Sequence, residues 1–327
     1  MVPLVTGQGA HPGRDNRPRG RTVKRWLGAL ALVLPALPGL ALEVDFRPVA
    51  DGVYAYIGDK GPRSVDNEGL NANIGLVVTP AGAVLIDSGA TFQSARQIDA
   101  AVRKVTRQPV RWVINTGGQD HRWLGNGYFR AEGAEIIAHA KARADMQSRG
   151  GDQLAALRTI LGELADGTVP TLPTRLVDGA DARLELGGTV FELQHRGGGH
   201  TPGDILVWLP EKNVLFAGDT VYVDRLLAVI PVSSTRHWLD TFAAIEQLAP
   251  QRIVPGHGAV TDVATARAQT YDYLQALRTQ MKRAVDNGAD IGDAVRSFDG
   301  EPFMRLLNAD ELMPGNANRV YLEVERE

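Results

Sequence analysis

The chain has 327 residues, 44% hydrophobic and 22% charged, with a formal net charge of −3. That balance is globular, excludes disorder over most of the length, and offers no basic excess to neutralise nucleic-acid phosphates. Cysteine is absent, which excludes disulfides, thiolate nucleophiles and iron–sulfur ligation together, so a metal would have to rest on His, Asp or Glu.

In chain order the first feature is a charge step. Arg14, Arg17, Arg19, Arg21, Lys24 and Arg25 stand against the single acid Asp15, and residues 26–42 then carry no charge. With small residues at Gly39 and Ala41, this pattern predicts a secretory leader over residues 1–41, cut after Ala41, and a periplasmic or secreted mature domain over 42–327. The competing reading is a membrane anchor. The apolar run is shorter than the ~20 residues that a spanning helix needs, and Pro35 and Pro38 interrupt it, so no stable membrane insertion is expected after cleavage.

From Leu42 onward strand-like and helix-like segments alternate without a repeat. Strands are expected at 53–57, 73–79, 83–86, 112–114, 135–138, 190–193, 205–209 and 214–217, where β-branched and apolar residues run together. A helix is expected over 91–105, opened by a Thr91 cap and placing Ala95, Ile98 and Val102 on one face. Further helices are expected at 140–165, 235–248 and 264–284, and Gly167, Pro170 and Pro173 make 166–173 a loop. Most strands come as neighbouring pairs joined by short turns. That favours an α/β (α+β) layered architecture with mixed or antiparallel pairing over a doubly wound parallel sheet.

The polar residues of interest sit where these strands end. Asp87-Ser88-Gly89 follows Ile86; Gly117-Gly118-Gln119-Asp120-His121 follows the strand ending near Ile114; Gly199-His200-Thr201-Pro202-Gly203-Asp204 precedes a strand. Gly218-Asp219 closes another strand, and Pro255-Gly256-His257-Gly258 follows a short one. Loops at the ends of a rigid sheet can aim several ligands at one point. Three His and two Asp so placed suggest a zinc site, although each alone would pass as a turn residue or a helix cap.

Taken in order, IDSG, DH, GHTPGD, FAGD and PGHG resemble the metallo-β-lactamase superfamily of zinc hydrolases over about residues 44–290. The resemblance implies a four-layer αβ/βα sandwich with the metal site at one edge. It implies Asp120, His121 and His257 as ligands of a second metal position, Asp219 as the bridging carboxylate and His200 as a ligand of a first position. Asp87 would support the metal loops by hydrogen bonds.

One departure stands out. The family places His four and two residues before the Asp that precedes the last His of this motif. Here those positions are Thr116 and Gly118, and no His lies between His11 and His121. The first position would keep His200 and a share of Asp219, with Gln119 or Asn115 as a weak oxygen donor. One tightly held zinc (Zn2+) per chain is therefore expected, and an imidazole returned at Gly118, with a second at Thr116 if needed, is expected to raise occupancy toward two. The remaining His139, His195 and His237 read as packing or surface residues, and Trp123 as a candidate for the pocket rim. The segment 140–173 and the tail 303–327 are expected to line or close the pocket.

The function implied is a metal-dependent hydrolase using a metal-bound hydroxide on an ester, thioester or lactam-like bond of a small-molecule substrate. Asp120 or Asp219 would orient the water and take up a proton. The alternatives are a non-catalytic metal-binding or scaffold member of the same fold and an iron-dependent oxidoreductase. The leader and motifs also resemble an exported, SoxH-like branch, which implies association with periplasmic quinoprotein systems.

Overall fold

Two sheets face one another across an aliphatic core. The computed structural model describes residues 42–327; the expected leader lies outside the described residues. The first sheet runs in chain order through β1 (Arg47–Ala50), β2 (Val53–Tyr56), β3 (Ile74–Thr79), β4 (Gly82–Ile86), β5 (Val110–Ile114), β6 (Glu135–His139) and β7 (Arg175–Val177). Its first four strands pair antiparallel through short connections, and β4 to β7 pair parallel across helices. The second sheet has the order β12-β11-β10-β9-β8, from β8 (Asp181–Leu186), β9 (Thr189–Gln194), β10 (Leu206–Leu209), β11 (Val214–Tyr222) and β12 (Arg252–His257). In it only β11 and β12 run parallel.

The inner faces interlock. Val53, Val77, Ile86, Ile114 and Ile137 of the first sheet pack against Leu184, Phe191, Val207, Phe216 and Val254 of the second. Sheets that bury such aliphatic faces stack about 10 Å apart. Gly75 is needed here, because a Cβ at that position would strike the Phe216 ring.

Helices cover both outer faces, completing the expected four-layer sandwich. α1 (Phe92–Val105) starts at Thr91, whose hydroxyl accepts from Ser94 N while Ser94 Oγ accepts from Thr91 N. This reciprocal cap fixes the helix start, and Ala95, Ile98 and Val102 pack on the outside of the first sheet as their spacing predicts. The short helices α2 (Asp120–Trp123) and α3 (Asn126–Ala131) follow β5, and α4 (Ala140–Leu161) follows β6. On the second sheet α5 (Thr235–Leu248) lays Phe242 and Ile245 against Leu206 and Leu215.

The expected helix at 264–284 is three pieces. These are α6 (Val263–Ala266), a π-helical turn (Arg267–Tyr271) and α7 (Asp272–Asp286). α7 packs with α8 (Ile291–Arg296) and α9 (Ala309–Val324) into a separate cluster around Tyr273, Leu277, Ala317 and Val320. The tail is therefore structural. Asn316 binds the backbone of Leu227 and Val229, and the Glu323 carboxylate accepts from Thr235 N and Oγ1 at the start of α5. Among the described residues no helix is long and apolar enough to cross a membrane.

Candidate metal centre

Asp219, on β11, is the hub. His121 Nε2 lies 3.1 Å from its Oδ2, His257 Nε2 lies 3.3 Å from its Oδ1, and His200 Nε2 lies 3.9 Å from Oδ2. One donor atom from each of His121, Asp219 and His257 falls within 4.8 Å of the others, and all three residues are buried. The three come from α2, β11 and the end of β12, so the layered fold carries residues 98 and 38 apart in sequence to one point (219 minus 121, and 257 minus 219).

The imidazoles are oriented by backbone carbonyls. His257 Nδ1 lies 2.7 Å from Asn71 O and His200 Nδ1 lies 3.0 Å from Ala228 O. A carbonyl only accepts, so each Nδ1 carries the proton and each Nε2 presents a lone pair toward Asp219. Burial lowers all three imidazole pKa values, that of His200 to about 4. The rings are therefore neutral at neutral pH, the form that ligates metal.

The carboxylate is held as an anion. Burial alone would raise the Asp219 pKa, but the Arg122 guanidinium, and then His121, hold it well below the usual carboxylate range. Arg122 is itself buried. Its Nη2 donates to Asp219 Oδ1 and to Gly256 O, and its Nη1 donates to Asp87 Oδ2 and Asn73 O. Asp87 occupies left-handed backbone at φ 69° and also accepts from Thr116 N and Oγ1. It thus ties the loop after β5 to the floor of the site, as the resemblance implied. Burial raises its pKa to about 6 despite Arg122.

Asp120 stands apart from the His121–Asp219–His257 cluster. Consecutive residues on a helical turn point about 100° apart, and the Asp120 carboxylate is turned toward Arg63 rather than toward Asp219. Its Oδ1 instead accepts from Arg63, from Gln119 Nε2 and from His121 N. Arg63 also reaches His121 Nδ1 at 3.1 Å. Asp120 thus contacts the cluster through His121, with Oδ1 3.5 Å from Nδ1.

Around Thr116 and Gly118 most polar side chains are committed elsewhere. The Thr116 hydroxyl donates to Asp87, and the Asn115 amide pairs with that of Asn126. Gln119 Oε1 is buried without a partner among the described residues. Gly118 faces α4, and a Cβ there would run into the Asp145 carboxylate, which Arg149 holds by two hydrogen bonds. Gln153 Nε2 donates to Gly118 O at 2.9 Å. An imidazole at Gly118 would therefore need the Asp145 side chain to move aside before it could enter the site.

His139 caps α4 through Lys141 N and stacks on His195 at 4.0 Å, and His237 is exposed. Trp123, a rim candidate in the sequence, is instead fully buried and donates from Nε1 to Gln153 Oε1. Arg122 and Arg63 were missed in the sequence. Only the charged residue inside the otherwise buried DHRW turn could have flagged Arg122.

The motif order, sandwich and convergent cluster define a class. The metallo-beta-lactamase superfamily model matches residues 67–257, and the chain belongs to that superfamily. It is 23% identical over 265 residues to the metallo-beta-lactamase type 2 of Elizabethkingia meningoseptica, spanning 79% of this chain and 97% of that one. It is 27% identical over 240 residues to the 2,4-dinitroanisole O-demethylase subunit alpha of Nocardioides sp. (strain JS1661), spanning 70% and 67%. Among solved structures it resembles the metallo-beta-lactamase FIM-1 from Pseudomonas aeruginosa in its mono-zinc form, with TM-score 0.57, 20% identity, and coverage of 72% and 96%. It also resembles DIM-1 metallo-beta-lactamase, with TM-score 0.56, 18% identity, and coverage of 70% and 96%.

Proposed function

We propose that the protein is a zinc-dependent hydrolase with one metal centre, acting on an ester, thioester or lactam-like bond. The observation that carries this reading is the convergence of His121, Asp219 and His257 within 4.8 Å. Two neutral imidazoles and one carboxylate suit a borderline cation that keeps an open position, and His200 Nε2, facing Asp219, is a fourth donor. When bound, zinc supplies a Lewis acid and lowers the pKa of coordinated water toward ~7.

The chain's own groups divide the remaining work. Arg122 engages Asp219 Oδ1 and leaves Oδ2 facing His121 and His200. Asp219 is thus the carboxylate placed to orient a nucleophilic water through Oδ2; held so far below the usual carboxylate range, it serves as an acceptor of that hydrogen bond rather than as the final proton sink. Asp120 fixes the far side of His121 and is itself neutralised by Arg63. The non-catalytic reading predicts metal without turnover, so both are tested together. Elemental analysis of purified protein is combined with a panel of chromogenic esters, thioesters, a cephalosporin and an aryl methyl ether. Zinc-dependent turnover of an ester, thioester or cephalosporin is expected; its absence from all of them would overturn the hydrolase reading.

The charge step before Trp26 supports export, and with it the SoxH-like branch and a quinoprotein-associated setting. The intact mass of protein from a periplasmic extract should match a chain beginning near Leu42. A full-length cytoplasmic species would refute export.

A further inference from the structure

α9 lies beyond residues 67–257, where the superfamily model matches, so its residues have no place among the shared motifs. Its inner face carries Asn316, which is only 1% exposed. The amide is fully used. Oδ1 accepts from Val229 N at 2.8 Å, and Nδ2 donates to Leu227 O at 2.8 Å and to the Tyr273 hydroxyl at 3.0 Å. A backbone N–H on one side and a carbonyl on the other fix which way the amide points, because a flipped amide would set donor against donor.

Between these two anchors stands Ala228, whose carbonyl lies 3.0 Å from His200 Nδ1. The Ala228 C=O and the Val229 N–H are the two ends of one planar peptide group. Asn316 holds one end and the other accepts from the imidazole, so Asn316 sets the plane of the group on which His200 rests. Residues 226–230 belong to neither helix nor strand, and no ladder of backbone bonds does this work for them.

α9 braces the far end of the same segment as well. Glu323 follows Asn316 by seven residues, about two helical turns, and so shares its face. Its carboxylate accepts from Ser234 Oγ, Thr235 N and Thr235 Oγ1. Ser233 Oγ donates to His200 O at 2.8 Å, and Ser234 N donates to Gly199 O at 2.9 Å. Residues 227–235 thus hold His200 by ring and main chain, and α9 holds that segment at both ends. The His200 ring has the longest reach of the three, with Nε2 3.9 Å from Asp219 Oδ2, against 3.1 Å for His121 and 3.3 Å from His257 to the same carboxylate.

We propose that Asn316 is a positioning residue of the metal centre: through the Ala228–Val229 peptide it fixes the Nδ1–H tautomer and the orientation of His200, so that Nε2 serves as the fourth donor. The proposal rests on the metal-centre reading above and extends that site to a helix outside the matched motifs. In a neutral imidazole, the nitrogen that donates to a carbonyl leaves the other free to ligate. Without that carbonyl in place, the ring turns or moves its proton to Nε2, and the donor is lost.

The test uses the full chain carrying Asn316→Leu, Asn316→Asp, Tyr273→Phe or His200→Ala, with zinc titrated calorimetrically against a competing chelator. Asn316→Leu removes all three bonds and should raise the zinc Kd about tenfold or more, the usual loss for an outer partner of a ligating imidazole. Asn316→Asp keeps the acceptor for Val229 N but loses the donor to Leu227 O. It should raise Kd about threefold or more, and it carries the test if the Leu variant does not fold. Tyr273→Phe removes only the bond that does not touch residues 227–229, and its Kd should stay within about twofold of wild type.

A second readout needs no metal. Proton–nitrogen correlation spectra of the metal-free chains report which ring nitrogen of His200 bears the proton, its signals being those missing from His200→Ala. The wild type should show Nδ1–H, and the Asn316 variant a shift toward Nε2–H or a mixture of the two. A wild-type Kd or an unchanged tautomer in the Asn316 variant would overturn the proposal, as would an equal loss of zinc affinity in Tyr273→Phe. A wild type that binds no zinc, or a His200→Ala that binds it as tightly, counts against the metal-centre reading. Asn316 is then judged on the tautomer alone, a moved proton supporting its positioning role and an unmoved one overturning it.

Discussion

Arg122 Nη2 donates to the same Asp219 oxygen that lies 3.3 Å from His257 Nε2. A permanent buried cation therefore sits directly beneath the His121–Asp219–His257 cluster. It neutralises Asp219 and Asp87 at once and bonds the carbonyls of Asn73 and Gly256. Arg122 and the two carboxylates it bridges thus build much of the site's charge balance into the chain.

Replacing Arg122 with Leu should strand two buried carboxylates. Removing one partner of a buried ion pair costs about 3–5 kcal/mol, and here both Asp87 and Asp219 lose theirs. Chemical denaturation of the metal-free variant should show a loss of at least that size, or no folded state. Arg122→Lys should recover only part, because an ammonium cannot reproduce the planar fork that reaches both carboxylates and both carbonyls. Full recovery by Lys would show that charge alone matters.

Gly118→His should fail to create a second metal position. The new side chain meets the Asp145 carboxylate, which the Arg149 guanidinium holds in place. The variant is expected to lose stability by about 1–3 kcal/mol from overpacking, with metal content no higher than the wild type by elemental analysis. A second equivalent of zinc in this variant would mean that α4 yields.

Asp204 offers a pH signature. Burial raises its pKa from 3.8 to about 7, with Thr201 hydrogen bonds opposing and Asp219 and Asp145 adding to the rise. A carboxyl whose folded pKa is raised contributes stability that is present below 3.8 and is lost as pH rises through about 7. Asp204→Asn has no such titration. In metal-free protein, wild-type Tm minus variant Tm should be more positive near about pH 5 than near about pH 8.5. A difference that is constant with pH would contradict the buried, late-titrating carboxyl.

His139→Ala and His257→Ala separate structural from ligating imidazoles. His139 caps α4 and stacks on His195, so its loss should cost about 1 kcal/mol or somewhat more while metal uptake continues. His257→Ala should abolish the rise in Tm that zinc produces in the wild type, because that increment is binding free energy. Equal zinc-dependent increments in the two variants would remove His257 from the ligand set.

Much of this fold is legible in the sequence because its signals are local. The Thr91–Ser94 cap, the apolar face of α1 and the glycine-tightened strand ends need no knowledge of distant residues. Edge strand β8 escaped notice because charged Asp181, Arg183 and Glu185 interrupt it, although Leu184 and Leu186 reach the core. The site was legible as a set of residues but not as a geometry. Asp120 and His121 are adjacent, and only the helical turn they occupy decides which one faces Asp219. Asp145 against Gly118 and Asn316 against Val229 join residues 27 and 87 positions apart (145 minus 118, and 316 minus 229) through helices whose packing no local pattern encodes.

The most direct test of the central claim is the zinc content of the wild-type chain after exhaustive dialysis, measured beside His257→Ala. His121, Asp219, His257 and the facing His200 supply donors for one ion, and tetrahedral zinc needs about four. The expected result is about one zinc per wild-type chain and none in the variant. Two tightly held ions in the wild type, or a variant that keeps its zinc, would contradict a single centre built on Asp219.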